Sequence, residues 1–205
     1  MKFNLLITGG LGYIGSFTAK NYLKKTRKKL AVVDNLSRGN LFAKKYSSNN
    51  ILDISNNNLK KIIEKKKINT IIHLASFTCV RESIRKKNKY LKNFKSQIKF
   101  IKTIKKTNVK YFIFSSSLSV FEKNKFKKNL SPYSMYKLKI EKYLKTLSSK
   151  NFKVIILRYP NIIGSDPQGE LGEKNDFISR IVPLFYKNLL KMKKNILYYD
   201  YNLSL

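Results

Sequence analysis

Short apolar runs alternate along this chain with longer segments in which apolar residues recur at helical spacing. The short runs are nearly continuous in apolar residues, as in strands that are covered on both faces. They predict β-strands at Leu5–Thr8, Leu30–Asp34, Thr70–Ala75, Lys110–Ser117 and Val154–Tyr159. The helical spacing predicts α-helices between them, at Tyr13–Lys24, Leu59–Lys66, Glu82–Thr107 and Tyr133–Ser149.

This alternation indicates the class of fold. Parallel strands cannot be joined by a tight turn and need crossovers, which the helices supply. We therefore predict an α/β fold with a doubly wound, Rossmann-like parallel sheet. After Tyr159 prolines and glycines become frequent, followed by a helix candidate at Phe177–Leu190 and the start of a strand in the last residues. We divide the chain here into a first domain, residues 1–160, and a small, incomplete C-terminal part, residues 161–205.

The net charge of +33 over 205 residues raises the question of nucleic-acid binding. Lysine supplies nearly all of it, since only six of the 44 basic residues are arginine, and Asn and Ile are also abundant. A/T-rich codons encode Lys, Asn and Ile, so drift of composition explains all three together. Lysines spread over the predicted helices are typical of solvated faces. We favour drift over a selected polyanion-binding surface and expect no specific nucleic-acid partner.

Other features bear on the compartment and on metals. No apolar run approaches the roughly 20 residues of a membrane-spanning helix, and glycines begin at Gly9, too early for a signal peptide. Cys79 is the only cysteine, which excludes a disulfide framework or a thiolate metal cluster. We expect a cytoplasmic protein without a membrane anchor or a metal site. We also expect His73 and Cys79 to serve packing rather than catalysis.

Half of the eight glycines lie in one stretch, TGGLGYIG, from Thr8 to Gly15. The stretch follows the first predicted strand and opens the first predicted helix, which is the setting of a dinucleotide-binding turn. Gly9 permits the sharp turn, Gly12 lets the backbone approach a pyrophosphate, and Gly15 lets the helix pack closely on the sheet. The helix N-terminus offers N–H groups to the phosphates. An ordinary tight turn, the alternative, needs fewer glycines.

Asp34 ends the second predicted strand, where a carboxylate accepts hydrogen bonds from the adenosine ribose of NAD. It would repel a 2′-phosphate and so favours NAD over NADP, a preference that nearby Arg38 weakens without reversing. Capping of its own loop is the alternative role. Asp53 follows a short predicted strand and would contact the adenine edge, although turn capping explains it nearly as well.

Tyr133 and Lys137 stand four residues apart at the start of a predicted helix and share one of its faces. An ammonium beside the phenol favours phenolate and lowers the tyrosine pKa toward that of a general base. The spacing proves little in a chain so rich in lysine, but its placement adds weight. Ser117 ends the preceding strand and is predicted to hydrogen-bond a substrate hydroxyl, because ligands of open α/β sheets bind beyond the carboxyl ends of the strands.

Five segments in this order resemble the extended short-chain dehydrogenases/reductases: TGGLGYIG, VVDNLSRGN, FIFSSS, SPYSMYK and LRYPNIIG. Within them the chain is most similar to the NAD-dependent epimerases/dehydratases, and among these to the UDP-glucose (UDP-galactose) 4-epimerases, through DNLSRGN, HLASFTCVRESI and SDPQGELGE. The resemblance runs from about residue 2 to about residue 190. It implies a homodimer that pairs through helices matching Glu82–Thr107 and Tyr133–Ser149.

The resemblance also implies the roles of individual residues. Tyr133 would be the base, Lys137 its electrostatic partner and the anchor of the nicotinamide ribose, and Ser117 the partner of the sugar hydroxyl. Asn161 would touch the nucleotide sugar. NAD would be bound by Gly9, Gly12, Tyr13, Ile14, Gly15, Asp34, Asn35, Leu36, Ser37, Arg38, Gly39, Asp53, Ile54, Leu74, Ala75, Ser76, Asn93, Tyr133, Lys137 and Pro160. The implied reaction interconverts UDP-glucose and UDP-galactose through a 4-keto sugar, with proton removal by Tyr133 and hydride transfer to and from NAD.

The chain departs from the family pattern at several points. Thr78 stands where the epimerases usually have a lysine, Pro160 replaces an aromatic residue, and the connection from Ser117 to Tyr133 is short. We also expect most of the second domain, which holds the uridine diphosphate, to be missing, and this would expose the ketone intermediate to water. The alternatives are a degenerate relative that binds NAD without turnover, a related nucleotide-sugar dehydratase or reductase, and, least favoured, a polyanion-binding protein.

Overall fold

A computed structural model describes residues 4–28, 30–46, 48–121 and 130–173, together with residues 184, 185 and 189. Its strands are β1 Leu5–Thr8, β2 Leu30–Asp34, β3 Ser48–Ile51, β4 Thr70–His73, β5 Tyr111–Ser117 and β6 Lys153–Tyr159. Its α-helices are α1 Tyr13–Thr26, α2 Leu59–Lys65, α3 Val80–Arg85, α4 Lys87–Ile104 and α5 Pro132–Leu147. Two 3₁₀ turns lie at Leu41–Tyr46 and Leu118–Phe121.

The six strands form one sheet in the order β3-β2-β1-β4-β5-β6, and every neighbouring pair is parallel. The predicted doubly wound sheet is therefore confirmed. The strand order reverses between β1 and β4, and a crevice opens at such a point beyond the carboxyl ends of the strands. Thr8 pairs with His73 at the ends of these two strands. The glycine turn after β1 and the loop after β4 consequently leave the sheet side by side.

The strands β1 and β2 are buried on both faces, as their continuous apolar runs predict. The edge strand β6 differs from this prediction, because Ile155 and Leu157 are 47% and 40% exposed on one of its faces. On one face of the sheet, α2, α4 and α5 bury a cluster that includes Leu6, Val33, Ile71, Phe112 and Phe114 of the strands, with Ile63, Phe100, Ile104 and Ile140 of the helices. On the other face a smaller cluster joins α1 to β1 and β2 and includes Leu5, Ile7, Val32 and Ala19. The sheet is thereby a rigid platform for the loops at its carboxyl end.

The predicted helix over Glu82–Thr107 is wrong, because two helices, α3 and α4, meet at Lys86 (φ −115°, ψ 52°). The Sγ of Cys79 caps α3 by accepting a hydrogen bond from the Glu82 N–H at 3.4 Å. The Tyr90 hydroxyl accepts from the Cys79 N–H at 3.1 Å and donates to the Cys79 carbonyl at 2.8 Å. This link between the start of α3 and the first turn of α4 overrides the helical periodicity. The remaining elements end within two residues of their predicted bounds.

The residues after β6 return to the first part of the molecule. Leu171 is buried in the cluster of α1, β1 and β2, and the Tyr13 hydroxyl donates to the Gly164 carbonyl at 2.6 Å. Lys20 pairs with Asp166, which is also buried. The division near residue 160 stays a prediction, and the predicted helix at Phe177–Leu190 and the final strand fall almost wholly outside the described residues. Within the described part, no helix has the length and apolarity to cross a membrane.

Candidate functional site

The glycine turn is closed so tightly that side chains would not fit. Gly9 has φ +70°, and a Cβ there would lie 2.7 Å from the Ala75 nitrogen in the loop after β4. A Cβ on Gly15 would lie 2.1 Å from the Gly9 carbonyl oxygen. Gly12 is the N-cap residue of α1, and no side chain caps the N-terminus of this helix. The turn therefore brings the positive end of α1 to the crevice with its backbone exposed, as phosphate binding requires.

A groove runs over the carboxyl end of the sheet and consists of two joined cavities. The first, which we call the Asp34 cavity, has a volume of about 510 Å³ and lies between the loops that follow β2, β3 and β4. The second, the Tyr133 cavity, has a volume of about 670 Å³ and lies between the glycine turn, α3 and α5. Both are lined by Gly9, Gly12, Ser37, Arg38, Leu74 and Ser76.

Most of the predicted site residues line this groove. Besides the six shared residues, the Asp34 cavity is lined by Asp34, Asn35, Gly39, Asp53, Ile54, Ala75 and Asn93. The Tyr133 cavity is lined by Tyr13, Ile14, Gly15, Leu36, Tyr133 and Lys137. Three predicted residues line neither cavity: Ser117 ends β5, and Pro160 and Asn161 directly follow β6. Thr78 and Cys79 lie on the Tyr133 cavity.

The carboxylates of the Asp34 cavity are each held by one N–H group of their own loop and by one donor from a neighbouring loop. Asp34 is 7% exposed and accepts hydrogen bonds from the N–H groups of Leu11 at 3.0 Å and Leu36 at 2.8 Å. Burial raises the pKa of Asp34 against the effect of these bonds. Asp53 accepts from Asn35 Nδ2 and the Ser55 N–H, both at 2.8 Å. Burial opposes these bonds, but they outweigh it and lower the pKa of Asp53. Each carboxylate thus caps its loop and faces the groove at once.

An ion pair spans the groove where the two cavities join. Arg38, in the loop after β2, pairs with Glu82 of α3, and its guanidinium lies 5.3 Å from the centre of the Phe77 ring. Glu82 also accepts from Lys89 Nζ at 2.8 Å. The Tyr90 hydroxyl lies 3.0 Å from the same carboxylate and shares its single proton between Glu82 and the Cys79 carbonyl. Burial would raise the pKa of Glu82, but these partners lower it. Glu82 is not among the predicted site residues. Its partner Arg38 lies 44 residues away in the chain, and the one sequence signal that included Glu82 was the segment HLASFTCVRESI.

Tyr133 and Lys137 lie in the first two turns of α5, which Ser131 caps by accepting a hydrogen bond from the Ser134 N–H. Both are buried, at 8% and 4% exposure. Lys137 Nζ donates to the Ser115 carbonyl at 2.7 Å and lies 5.9 Å from the centre of the Tyr133 ring. Burial lowers the pKa of Lys137 to about 7, against the pull of Glu141. The charge beside Tyr133 therefore changes near neutral pH.

One turn further along α5, Glu141 ties the helix to the two strands below it. Its buried carboxylate accepts hydrogen bonds from Arg158 of β6, from Nε at 3.0 Å and from Nη2 at 2.6 Å, and from the Ser116 hydroxyl of β5. Burial would raise the pKa of Glu141, but these partners lower it. The contacts fix α5, and with it the Tyr133–Lys137 pair, over the end of β5. There the Ser117 hydroxyl accepts a hydrogen bond from the Ser119 N–H at 3.2 Å.

His73 lies beneath the groove, and its predicted packing role is confirmed. Its Nδ1 is 2.6 Å from the Thr8 hydroxyl, and its ring stacks on Phe112 and Phe114. Burial and the nearby charge of Lys137 lower the pKa of His73 to about 3. Among the described residues, no group of three or more His, Cys, Asp or Glu is arranged to hold a metal ion.

Comparisons with known proteins point to one family. The chain matches the NAD dependent epimerase/dehydratase family over residues 5–203. It is 34% identical to the UDP-glucose 4-epimerase of Yersinia enterocolitica, over 83% of this chain and 56% of that protein. It is similar to the crystal structure of UDP-glucose 4-epimerase from Brucella ovis in complex with NAD (TM-score 0.78, 30% identity, 84% of this chain and 56% of that one).

A further structural relative is the UDP-glucose 4-epimerase of Thermotoga maritima with UDP-glucose (TM-score 0.79, 27% identity), with 97% of this chain and 66% of that one covered. The chain thus spans between about half and two thirds of the length of these relatives. The family match covers nearly the whole chain and includes the glycine turn, Asp34, Tyr133 and Lys137. The chain therefore belongs to the NAD dependent epimerase/dehydratase family.

Proposed function

We propose that this protein is an NAD-dependent epimerase that interconverts UDP-glucose and UDP-galactose at C4 of the sugar. The observation that carries the proposal is the single groove, which joins the glycine turn to the Tyr133–Lys137 pair. The relatives from Brucella ovis and Thermotoga maritima, crystallised with NAD and with UDP-glucose, support the choice of ligands.

The residues of the groove fit NAD. The turn offers backbone that a Cβ on Gly9 or Gly15 would block, and pyrophosphate would lie there at the N-terminus of α1. Asp34 would accept hydrogen bonds from the adenosine ribose, and Asp53, Ile54 and Asn93 would surround the adenine end. When bound, NAD supplies the acceptor and donor of a hydride. The protein supplies orientation and proton transfer.

Tyr133 is the general base of the proposed reaction and takes the proton of the sugar 4-hydroxyl. A protonated Lys137 stabilises the resulting phenolate. In the described part of the chain, the Ser115 carbonyl is the one hydrogen-bond partner of Lys137 Nζ. An ammonium has three donors, so two remain for the hydroxyls of the nicotinamide ribose. Ser117 at the end of β5 would hydrogen-bond the sugar hydroxyl, and Asn161 and Pro160 would border the sugar and the nicotinamide.

The Tyr133 cavity also carries cations suited to a diphosphate. Arg81, Arg85 and Lys86 line it from α3 and the break that follows. They would replace the positive charge that Thr78 does not provide, because diphosphate oxygens bind well to guanidinium and ammonium groups. The proposal includes a homodimer, which sedimentation of the purified protein would test.

The test combines binding with turnover. NAD is titrated into the purified full chain by calorimetry, and the chain is then incubated with NAD and UDP-galactose while UDP-glucose is measured. We expect NAD binding and formation of UDP-glucose. Binding without any sugar product would instead support the relative that has lost turnover. A 4-keto-6-deoxy sugar would indicate a dehydratase, and absence of NAD binding would overturn the whole proposal.

A further inference from the structure

Three cations, Arg38, Lys89 and Lys92, are among the residues that line the Asp34 cavity. Two of them share a single carboxylate, since Glu82 pairs with both Arg38 and Lys89. The Glu82 side chain is 15% exposed and the Arg38 side chain 24% exposed, so both are largely withdrawn from water. The ion pair joins the loop after β2 to α3, and therefore connects the two sides of the groove.

We propose that Glu82 makes the Asp34 cavity selective for a dinucleotide with a free 2′-hydroxyl, by holding Arg38 and Lys89 away from a 2′-phosphate. The inference rests on the proposed function in that the groove takes a dinucleotide. It adds a specificity-determining residue that lies outside the loop of Asp34.

The argument begins with the charge of the ligand that is rejected. A phosphate monoester carries close to two negative charges at neutral pH and binds where cations can donate to its oxygens. Arg38 stands four residues after Asp34 and lines the same cavity. Its planar fork would suit a phosphate at the ribose. Without a competing acceptor, Arg38 would oppose the repulsion that Asp34 exerts on a 2′-phosphate.

Glu82 is that competing acceptor. The Arg38 guanidinium is directed to its carboxylate and stacked over Phe77, and Lys89 Nζ lies 4.2 Å from the centre of the same ring. Two of the three cations of the cavity, Arg38 and Lys89, are thus engaged by Glu82, and the charge of Glu82 adds to that of Asp34. Lys92 is the third cation and is not paired with Glu82, so the proposed effect concerns Arg38 and Lys89 alone. A free 2′-hydroxyl is neutral and needs none of these donors, so the arrangement costs NAD little.

The experiment measures the dissociation constants of NAD and NADP for the full chain by calorimetry. We expect Glu82→Gln to tighten NADP binding about tenfold, which is the effect of one freed charge-assisted contact, and to leave NAD binding nearly unchanged. Glu82→Asp keeps the charge and should keep the wild-type preference. Arg38→Ala added to Glu82→Gln should remove the gain, because it removes the donor.

Glu64→Gln is the matched control, since it makes the same change of charge at an exposed pair with Lys60 on α2. The inference is wrong if Glu82→Gln shifts NAD and NADP equally or if Glu64→Gln gives the same gain. If Glu82→Gln does not fold, as thermal unfolding would show, Glu82→Ala makes the same comparison without the amide. A wild-type chain that binds neither dinucleotide refutes the proposed function instead, so the two failures are distinguishable.

Discussion

The two cavities of the groove hold their functional groups by different means. In the Asp34 cavity, Asp34 and Asp53 are fixed by backbone N–H groups of the adjoining loops. In the Tyr133 cavity, Lys137 is fixed by burial and by a carbonyl of β5, while Glu141 and Arg158 secure the helix from β6. The proposed adenosine end is therefore held by hydrogen bonds within and between neighbouring loops, whereas the proposed reactive end depends on the packing of three elements. Changes at the first end should alter affinity, and changes at the second should alter rate and stability together.

The largest effect is expected where both cavities meet, at the glycine turn. Gly15→Ala places a Cβ against the backbone of Gly9 and Gly10, so that α1 or the turn has to move. We expect NAD affinity to fall by more than about tenfold and unfolding free energy to fall by about 1–3 kcal/mol, the cost of overpacking. Calorimetry and urea unfolding measure the two. Asn21→Ala, on the exposed side of the same helix, is the control, and equal losses in both variants would contradict the clash.

The next effect separates rate from affinity. Tyr133→Phe removes the proposed general base and keeps the ring, so turnover should fall by about 10²- to 10⁴-fold. NAD affinity should stay within about twofold, because in the proposed arrangement Gly12 and Asp34 would hold the other end of the cofactor. Tyr136→Phe on the same helix, where the ring stacks on Phe94, should retain turnover. Unchanged turnover in Tyr133→Phe would refute its role as the base.

A smaller effect is expected from a change at Glu141, which holds α5 and the Tyr133–Lys137 pair against β5 and β6. Glu141→Gln removes the buried carboxylate that accepts from Arg158 and Ser116. Because the amide keeps part of the hydrogen bonding and Arg158 is partly exposed, we expect a loss of about 2 kcal/mol in unfolding free energy, with a fall in turnover. Glu64→Gln, at an exposed pair, should cost less than about 0.5 kcal/mol. Equal stabilities of the two variants would show that Glu141 does not anchor α5.

The smallest effect on stability at neutral pH is expected from the ionisation of His73, the single histidine of the chain. Its folded pKa of about 3 lies below the ordinary value of 6.5, so between these values the unfolded chain binds the proton and the folded protein does not. Stability should therefore fall as the pH drops from 6.5 toward 3, by up to about 1.4 kcal/mol per pH unit. Urea unfolding of His73→Gln at several pH values should lack this slope, and a retained slope would assign it to carboxylates.

Local patterns were sufficient to predict the parallel sheet, and most of the residues they singled out line one groove. The continuous apolar strands predicted parallel pairing, and the glycine spacing predicted a turn that the structure closes on Ala75. The break at Lys86 was not predictable, because the helical periodicity continues through it and the bonds between Tyr90 and Cys79 decide it. The packing of Leu171 beside α1 was equally hidden, since its partners lie far away in the chain.

The sequence by itself determined the alternation of strands and helices, the glycine turn, the carboxylate of Asp34 at the end of β2 and the shared face of Tyr133 and Lys137, whereas the order of the strands in the sheet came from the structure. Each of these follows from residues a few positions apart, where backbone geometry sets the spacing. Only the tertiary structure decided that Arg38 pairs with Glu82, that burial lowers the pKa of Lys137 to about 7, and that Glu141 joins α5 to two strands. Electrostatic pairing and desolvation depend on which distant groups pack together, and the folded arrangement alone specifies that.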